Sequence, residues 1–162
     1  MTDFPGLLRA LSEAGVEFIV VGGAAATAHG ATRLTLDLDI VYRRTPENIH
    51  RLVEALAPFH PYLRGAPPGL PFQWDEGMFS RGLNFTLTTS IGDVDLLAEI
   101  TGGGGYGDLL AQTIILNLFG IPCRSLTLRR LIEVKRAAGR PRDLEAVAEL
   151  EAIAEEQSGS DD

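Results

Sequence analysis

Two aspartates, Asp37 and Asp39, stand two residues apart in a segment where apolar and polar side chains alternate. In a β-strand this spacing places both carboxylates on one face, with their Cα atoms about 6.6 Å apart. At an effective dielectric constant of about 20, two such charges repel by roughly 3 kcal/mol. A cation bound between the two carboxylates turns this repulsion into a net attraction. Mg²⁺ is a suitable cation because it prefers hard oxygen ligands. We interpret the pair as metal ligands; the alternative is a solvated strand face or a cluster paired with arginines.

A third acidic ligand is expected from the segment GDVDLLA at 92–98. Asp93 and Asp95 share strand parity, so alternation does not separate them. Asp95 lies deeper in the apolar strand, whereas Asp93 follows Gly92 and fits a turn. We therefore predict Asp95 as the third ligand.

A glycine pair, Gly22-Gly23, lies between a predicted buried strand at 17–21 and a short alanine-rich helix at 23–29. Bare backbone N–H groups at such a junction can hold a phosphate. The alternative is a tight turn, and the pair does not match the dinucleotide-binding pattern G-x-G-x-x-G. The order of phosphate turn, helix and paired aspartates would bring a triphosphate and a metal ion together.

The spacing of apolar residues and the presence of capping residues predict the helices and strands that position these side chains. The predicted helices lie at 4–14, 23–29, 46–56, 128–138 and 141–156, with a short one near Asp108. The predicted strands lie at 17–21, 34–42, 83–89, 93–100, 112–118 and 121–126. The proline-rich segment 58–82 is predicted as a loop with one short strand near Tyr62, and the glycine run 102–105 as a flexible loop. Hairpins dominate the middle, which favours an α+β domain with a mixed sheet.

Composition narrows the class of protein. The 162 residues suit one domain at 1–157 followed by a flexible acidic tail at 158–162, and the net charge of −8 argues against a long nucleic acid as partner. Half of the basic residues lie between 124 and 142, which suits a phosphate-bearing ligand or a solvated helix face. The single cysteine, the lack of a leader and the short apolar runs predict a cytoplasmic protein without a membrane segment.

Three stretches together resemble the polymerase-β-type nucleotidyltransferase superfamily, and most of all its small bacterial minimal or antitoxin-like members. They are GGAAATAHGATRLTLDLDI at 22–40, VDLL at 94–97 and SLTLRRLIEVKRAAGRPRDL at 125–144. The superfamily pattern is Gly-Gly or Gly-Ser opening a helix, then Asp-x-Asp, then a lone carboxylate on a later strand. The resemblance covers most of the chain except 58–82. It implies an α+β fold in which helices flank a mixed β-sheet and the C-terminus is helical.

The resemblance also implies an activity, the metal-dependent transfer of a nucleoside monophosphate from a nucleoside triphosphate such as ATP to an acceptor hydroxyl. Asp37 and Asp39 would hold Mg²⁺ or Mn²⁺ on the triphosphate, and Asp95 would join a second ion. The expected nucleotide-binding residues are Gly22, Gly23, Arg33 and Lys135. The acceptor would be a small molecule, a partner protein or an RNA end.

Position 23 departs from the superfamily pattern, because many active members carry Ser where this chain has Gly23. Only backbone donors then remain for the phosphate. The alternative function is therefore a catalytically weak or inactive binding module, such as an antitoxin-like partner of a toxin protein.

Overall fold

The computed structural model describes residues 1–32 and 35–160. Its helices are α1 (Phe4–Glu13), α2 (Gly22–Ala28), α3 (Pro46–Leu56), α4 (Glu76–Ser80), α5 (Tyr106–Leu109), α6 (Leu128–Ala138) and α7 (Pro141–Ser160). Its strands are β1 (Phe18–Val21), β2 (Asp37–Tyr42), β3 (Tyr62–Leu63), β4 (Phe85–Thr89), β5 (Gly92–Leu97), β6 (Glu99–Ile100), β7 (Gly104–Gly105), β8 (Thr113–Leu118) and β9 (Ile121–Leu126).

Seven of these strands form one mixed sheet in the order β3-β4-β5-β2-β1-β9-β8. β2 runs parallel to β5 and β1 runs parallel to β9, whereas the other neighbours are antiparallel. The strands β6 and β7 form a separate two-stranded ladder. This mixed sheet, the helices around it and the two C-terminal helices confirm the predicted α+β fold.

Capping side chains fix where several helices begin. The side chains of Asp3, Thr45 and Thr127 accept hydrogen bonds from backbone N–H groups in the first turns of α1, α3 and α6. At Gly139 the backbone turns left-handed, with φ of 67°, and ends α6, as the sequence predicts. α7 then begins at Pro141 and packs against α6. The C-terminal helices are thereby folded into a pair.

The central strands bury their apolar residues, as the alternation predicts. Leu38 and Ile40 of β2 and Leu96 of β5 are fully buried, while the aspartates between them keep partial exposure. All four residues of β1 are buried. None of the described helices is both long and apolar enough to cross a lipid bilayer.

Three local predictions need correction. The segment 58–82, predicted as a loop, contains helix α4, which begins where the Asp75 side chain accepts from the Met78 N–H. Five residues are too few for a helical period to show in the sequence. The strand predicted from residue 34 begins at Asp37, and Gly104–Gly105, predicted as flexible, pairs with Glu99–Ile100. The short strand expected near Tyr62 is β3, which confirms that part.

Candidate active site

The parallel register of β2 with β5 brings the acidic residues together. Asp39 lies opposite Asp95, and Asp37 lies opposite Asp93. One carboxylate oxygen from each of Asp37, Asp39 and Asp95 lies within 4.8 Å of the other two. The structure thus places Asp95 with the pair from β2, and its role as a metal ligand stays a prediction.

Asp39 has an oxygen that lacks a partner. Its Oδ1 is buried and makes no hydrogen bond within the described part of the chain. A buried polar atom without a partner costs about 1–3 kcal/mol, and a cation bound here would remove that cost. Three convergent carboxylates with such an orphan oxygen fit a divalent ion, which takes hard oxygen ligands.

Gly22 leaves the room that Asp39 needs. Its φ of 65° lies in the left-handed region, and a Cβ built there would fall 2.2 Å from Asp39 Oδ2. Only glycine meets both requirements. The glycine at this position therefore shapes the acidic site directly.

Arg64 contacts the acidic cluster although the sequence analysis did not select it. Its Nη2 lies 2.8 Å from Asp95 Oδ1, its Nη1 lies 3.5 Å from Asp37 Oδ2, and its Nε lies 3.4 Å from Asp93 Oδ2. Arginine pairing, the alternative interpretation of the cluster, is therefore present for part of it. Even so, Asp37, Asp39 and Asp95 all line an open cavity.

The position of Arg64 comes from long-range strand pairing. Leu63 of β3 pairs with Leu87 of β4, and β4 pairs with β5. The sequence places Arg64 in the proline-rich segment without a readable pattern. The one available indication was electrostatic, because a cluster of acids requires a cation nearby.

Solved structures of other proteins share the fold of this chain. No family model and no curated protein sequence matches the chain. Among solved structures, a proposed nucleotidyltransferase from Thermotoga maritima is 14% identical, with a TM-score of 0.58 over 92% of this chain and 94% of that one. The chain has the nucleotidyltransferase fold. The antibiotic-resistance factor ANT(2'')-Ia, solved in solution, is also similar, with 14% identity and a TM-score of 0.52 over 96% of this chain and 91% of that one.

A cavity of about 530 Å³ opens beside the triad of this nucleotidyltransferase fold. Lys135 of α6 and the arginines 140 and 142 line the same cavity as the acidic residues. Arg140 is paired with Asp143, at 2.6 Å between Nε and Oδ2. Burial lowers the pKa of Lys135, and the charges of Asp143 and Asp39 oppose that shift. The C-terminal helix pair therefore brings basic side chains to the cavity, together with the acidic Asp143 and Glu149.

Both predicted phosphate-turn glycines line the same cavity. A Cβ built on Gly23 would lie 2.6 Å from Thr35 Oγ1, so the threonine hydroxyl occupies the space of a side chain at that position. Thr35, which the sequence analysis missed, also lines the cavity. Arg33, predicted to bind nucleotide, lies outside the described residues.

Two carboxyl groups of the triad, those of Asp37 and Asp39, have raised pKa values. Burial raises the pKa of Asp39 to about 8, and a hydrogen bond with Asp95 and the charges of Asp37 and Asp95 add to the shift. Burial also raises the pKa of Asp37, again with contributions from Asp95. Without a metal ion, the site thus stays partly protonated at neutral pH.

We predict that Gly22→Ala destabilises the protein by about 2 kcal/mol or more, because a left-handed alanine is strained and its Cβ collides with Asp39. Urea denaturation measures the loss. Gly107→Ala is the matched control, since a Cβ there meets nothing within 4 Å. Equal stability of the two variants would contradict the proposed contact.

We predict that Asp39→Asn stabilises the metal-free protein more at pH 8 than at pH 5. The Asp39 pKa is about 8 in the folded protein, against an ordinary value of 3.8 for an exposed aspartate. The folded state therefore binds an extra proton between these values, and stability falls as pH rises from about 4 to 8. Asparagine does not titrate, so the variant escapes this loss. Thermal denaturation of the wild type and Asp39→Asn in EDTA at pH 5 and pH 8 measures the effect. A stability difference between the two proteins that does not change with pH would refute the high pKa of Asp39.

Proposed function

We propose that the protein is a divalent-metal-dependent nucleotidyltransferase that moves a nucleoside monophosphate from a nucleoside triphosphate to an acceptor hydroxyl. The observation that supports it most directly is the buried Oδ1 of Asp39, which has no hydrogen-bond partner among the described residues and belongs to a cluster of three carboxylates whose oxygens lie within 4.8 Å of one another. The fold shared with a proposed nucleotidyltransferase supports the same activity. The three acceptor classes and a toxin-like partner stay predictions from the resemblance.

Asp37, Asp39 and Asp95 would hold the divalent ion. Mg²⁺ or Mn²⁺ suits them because all three offer carboxylate oxygens. When bound, such an ion neutralises phosphate charge and acts as a Lewis acid on phosphoryl oxygens. The high pKa of Asp39 means that this carboxyl gives up its proton when it becomes a ligand.

The polyphosphate would lie in the cavity between the triad and the C-terminal helices. Lys135 and Arg142 line this cavity and would neutralise the charge that develops on the leaving pyrophosphate. Gly22 and Gly23 line the same cavity without side chains of their own, and their backbone N–H groups would approach phosphate oxygens.

Thr35 would supply the hydroxyl that position 23 lacks. Its Oγ1 lies where a side chain at Gly23 would otherwise project, and it lines the same cavity. This hydroxyl donates to the backbone carbonyl of Asp37 at 3.2 Å. The absence of Ser at position 23 therefore does not remove every side-chain hydroxyl from this rim.

In the transfer step, a bond forms between the acceptor oxygen and the α-phosphorus while the bond from that phosphorus to the bridging oxygen breaks. Pyrophosphate leaves toward Lys135. Asp95, which lies on a different strand from the other two acids and is 20% exposed at its side chain, would take the acceptor proton.

The binding-module alternative has one specific observation in its favour. Arg64 occupies Asp95 and Asp37 at ion-pair distance, which lowers the site's attraction for a cation. Such a protein would bind a triphosphate without turning it over.

We predict that the protein transfers label from an α-³²P-labelled nucleoside triphosphate to an acceptor in a cell extract supplied with Mg²⁺ or Mn²⁺. The Asp37→Asn/Asp39→Asn double variant should lose at least about a hundredfold in rate, because both ligands lose their charge. Asp108→Asn is the matched control, since Asp108 lies in α5 and caps the Gly105 N–H.

The outcomes separate the two functions. Equal labelling by wild type and the double variant would overturn the assignment of this site. Triphosphate binding without any labelled acceptor would favour the binding module.

A further inference from the structure

Arg64 is the one residue that the structure adds to the acidic cluster among those described, and it touches both strands that build it. Its guanidinium lies 2.8 Å from Asp95 on β5 and 3.5 Å from Asp37 on β2. Only 27% of its side chain is exposed. Its positive charge thus faces the carboxylates that would hold the metal ion.

The anchorage of Arg64 does not depend on those two carboxylates. Its backbone N–H donates to the Thr86 carbonyl at 3.1 Å, which fixes the residue to β4. Nη2 also donates to the Leu87 carbonyl at 2.7 Å. Arg64 can therefore stay attached to β4 while its ion pairs change.

Asp93 offers Arg64 a separate partner. It lies two residues before Asp95 on the same strand, and its Oδ2 is 3.4 Å from Arg64 Nε. Asp93 is not among the carboxylates that converge within 4.8 Å of one another. The guanidinium thus has an acidic neighbour that a bound ion would not need.

A divalent ion and the guanidinium draw on the negative charge of the same two carboxylates, Asp37 and Asp95. An ion ligated by Asp37 and Asp95 at about 2.0–2.6 Å would add a second positive charge to carboxylates that Arg64 already contacts at 3.5 and 2.8 Å. The two cations would repel each other, so binding of one weakens binding of the other.

We propose that Arg64 is a built-in counter-cation that competes with the divalent ion for Asp37 and Asp95 and shifts onto Asp93 when the ion binds. This inference rests on the proposed function, because it assumes that the triad binds metal. Because of this competition, the protein binds the metal ion more weakly than the three carboxylates would without Arg64. The site then keeps a neutralising charge when no ion is present.

The test is Mn²⁺ binding measured by isothermal titration calorimetry on the wild type, Arg64→Ala and Arg64→Lys. Arg64→Ala should bind Mn²⁺ at least about fivefold more tightly, because the competitor is gone. Arg64→Lys keeps the charge and should fall between the two. Arg43→Ala, which removes an arginine paired with Glu17 instead, should match the wild type.

Thermal stability gives a second readout. Without Mn²⁺ the Arg64→Ala variant should melt below the wild type, because the carboxylates repel one another unopposed. Saturating Mn²⁺ should close most of that gap. If Arg64→Ala does not fold, Arg64→Gln replaces it, since glutamine retains donors for the Leu87 carbonyl without the charge.

A double-mutant cycle with Asp93→Asn tests the shift itself. Loss of Asp93 should weaken Mn²⁺ binding more in the presence of Arg64 than in combination with Arg64→Ala. Equal or weaker Mn²⁺ affinity of Arg64→Ala, or additive effects in the cycle, would overturn the proposal. Absence of Mn²⁺ binding by every protein, Arg64→Ala included, would instead overturn the proposed function.

Discussion

The parallel pairing of β2 with β5 is the contact on which the rest of the site depends. Its register sets two aspartates of each strand side by side, Asp37 with Asp93 and Asp39 with Asp95. Like charges in facing positions destabilise a sheet, so the fold must compensate for them. Two effects reduce the repulsion. The raised pKa values of Asp37 and Asp39 keep these carboxyl groups partly protonated, and the positive charges of Arg64 and Lys135 lie close to the cluster.

The same strands explain why the aspartates cannot withdraw from one another. Leu38, Ile40, Val94 and Leu96 alternate with them and are fully buried. Burial of each such side chain contributes roughly 1.5–3 kcal/mol, and a slip of one residue would turn the apolar side chains outward. The hydrophobic core therefore fixes the register, and the register fixes the acidic cluster. The site is held in an electrostatically unfavourable arrangement that a bound cation would relieve.

Local patterns were enough to predict the central part of this structure. Strand alternation put the aspartates on one face, and the turn chemistry of Gly22 marked the corner beside them. The residues that the sequence did not reveal depend on distant pairings. Arg64 reaches the cluster only because the two-residue strand β3 joins the edge of the sheet, and Thr35 lies near Gly23 through the close approach of two segments. Helix α4 is too short to show a period.

Anomalous diffraction from a crystal soaked with Mn²⁺ and a non-hydrolysable nucleoside triphosphate would locate a metal ion at the triad. We expect a manganese peak within about 2.0–2.6 Å of oxygens of Asp37 and Asp39, with Arg64 withdrawn from Asp95. A clear triphosphate without manganese at these carboxylates, and with Arg64 still paired to Asp95, would contradict it.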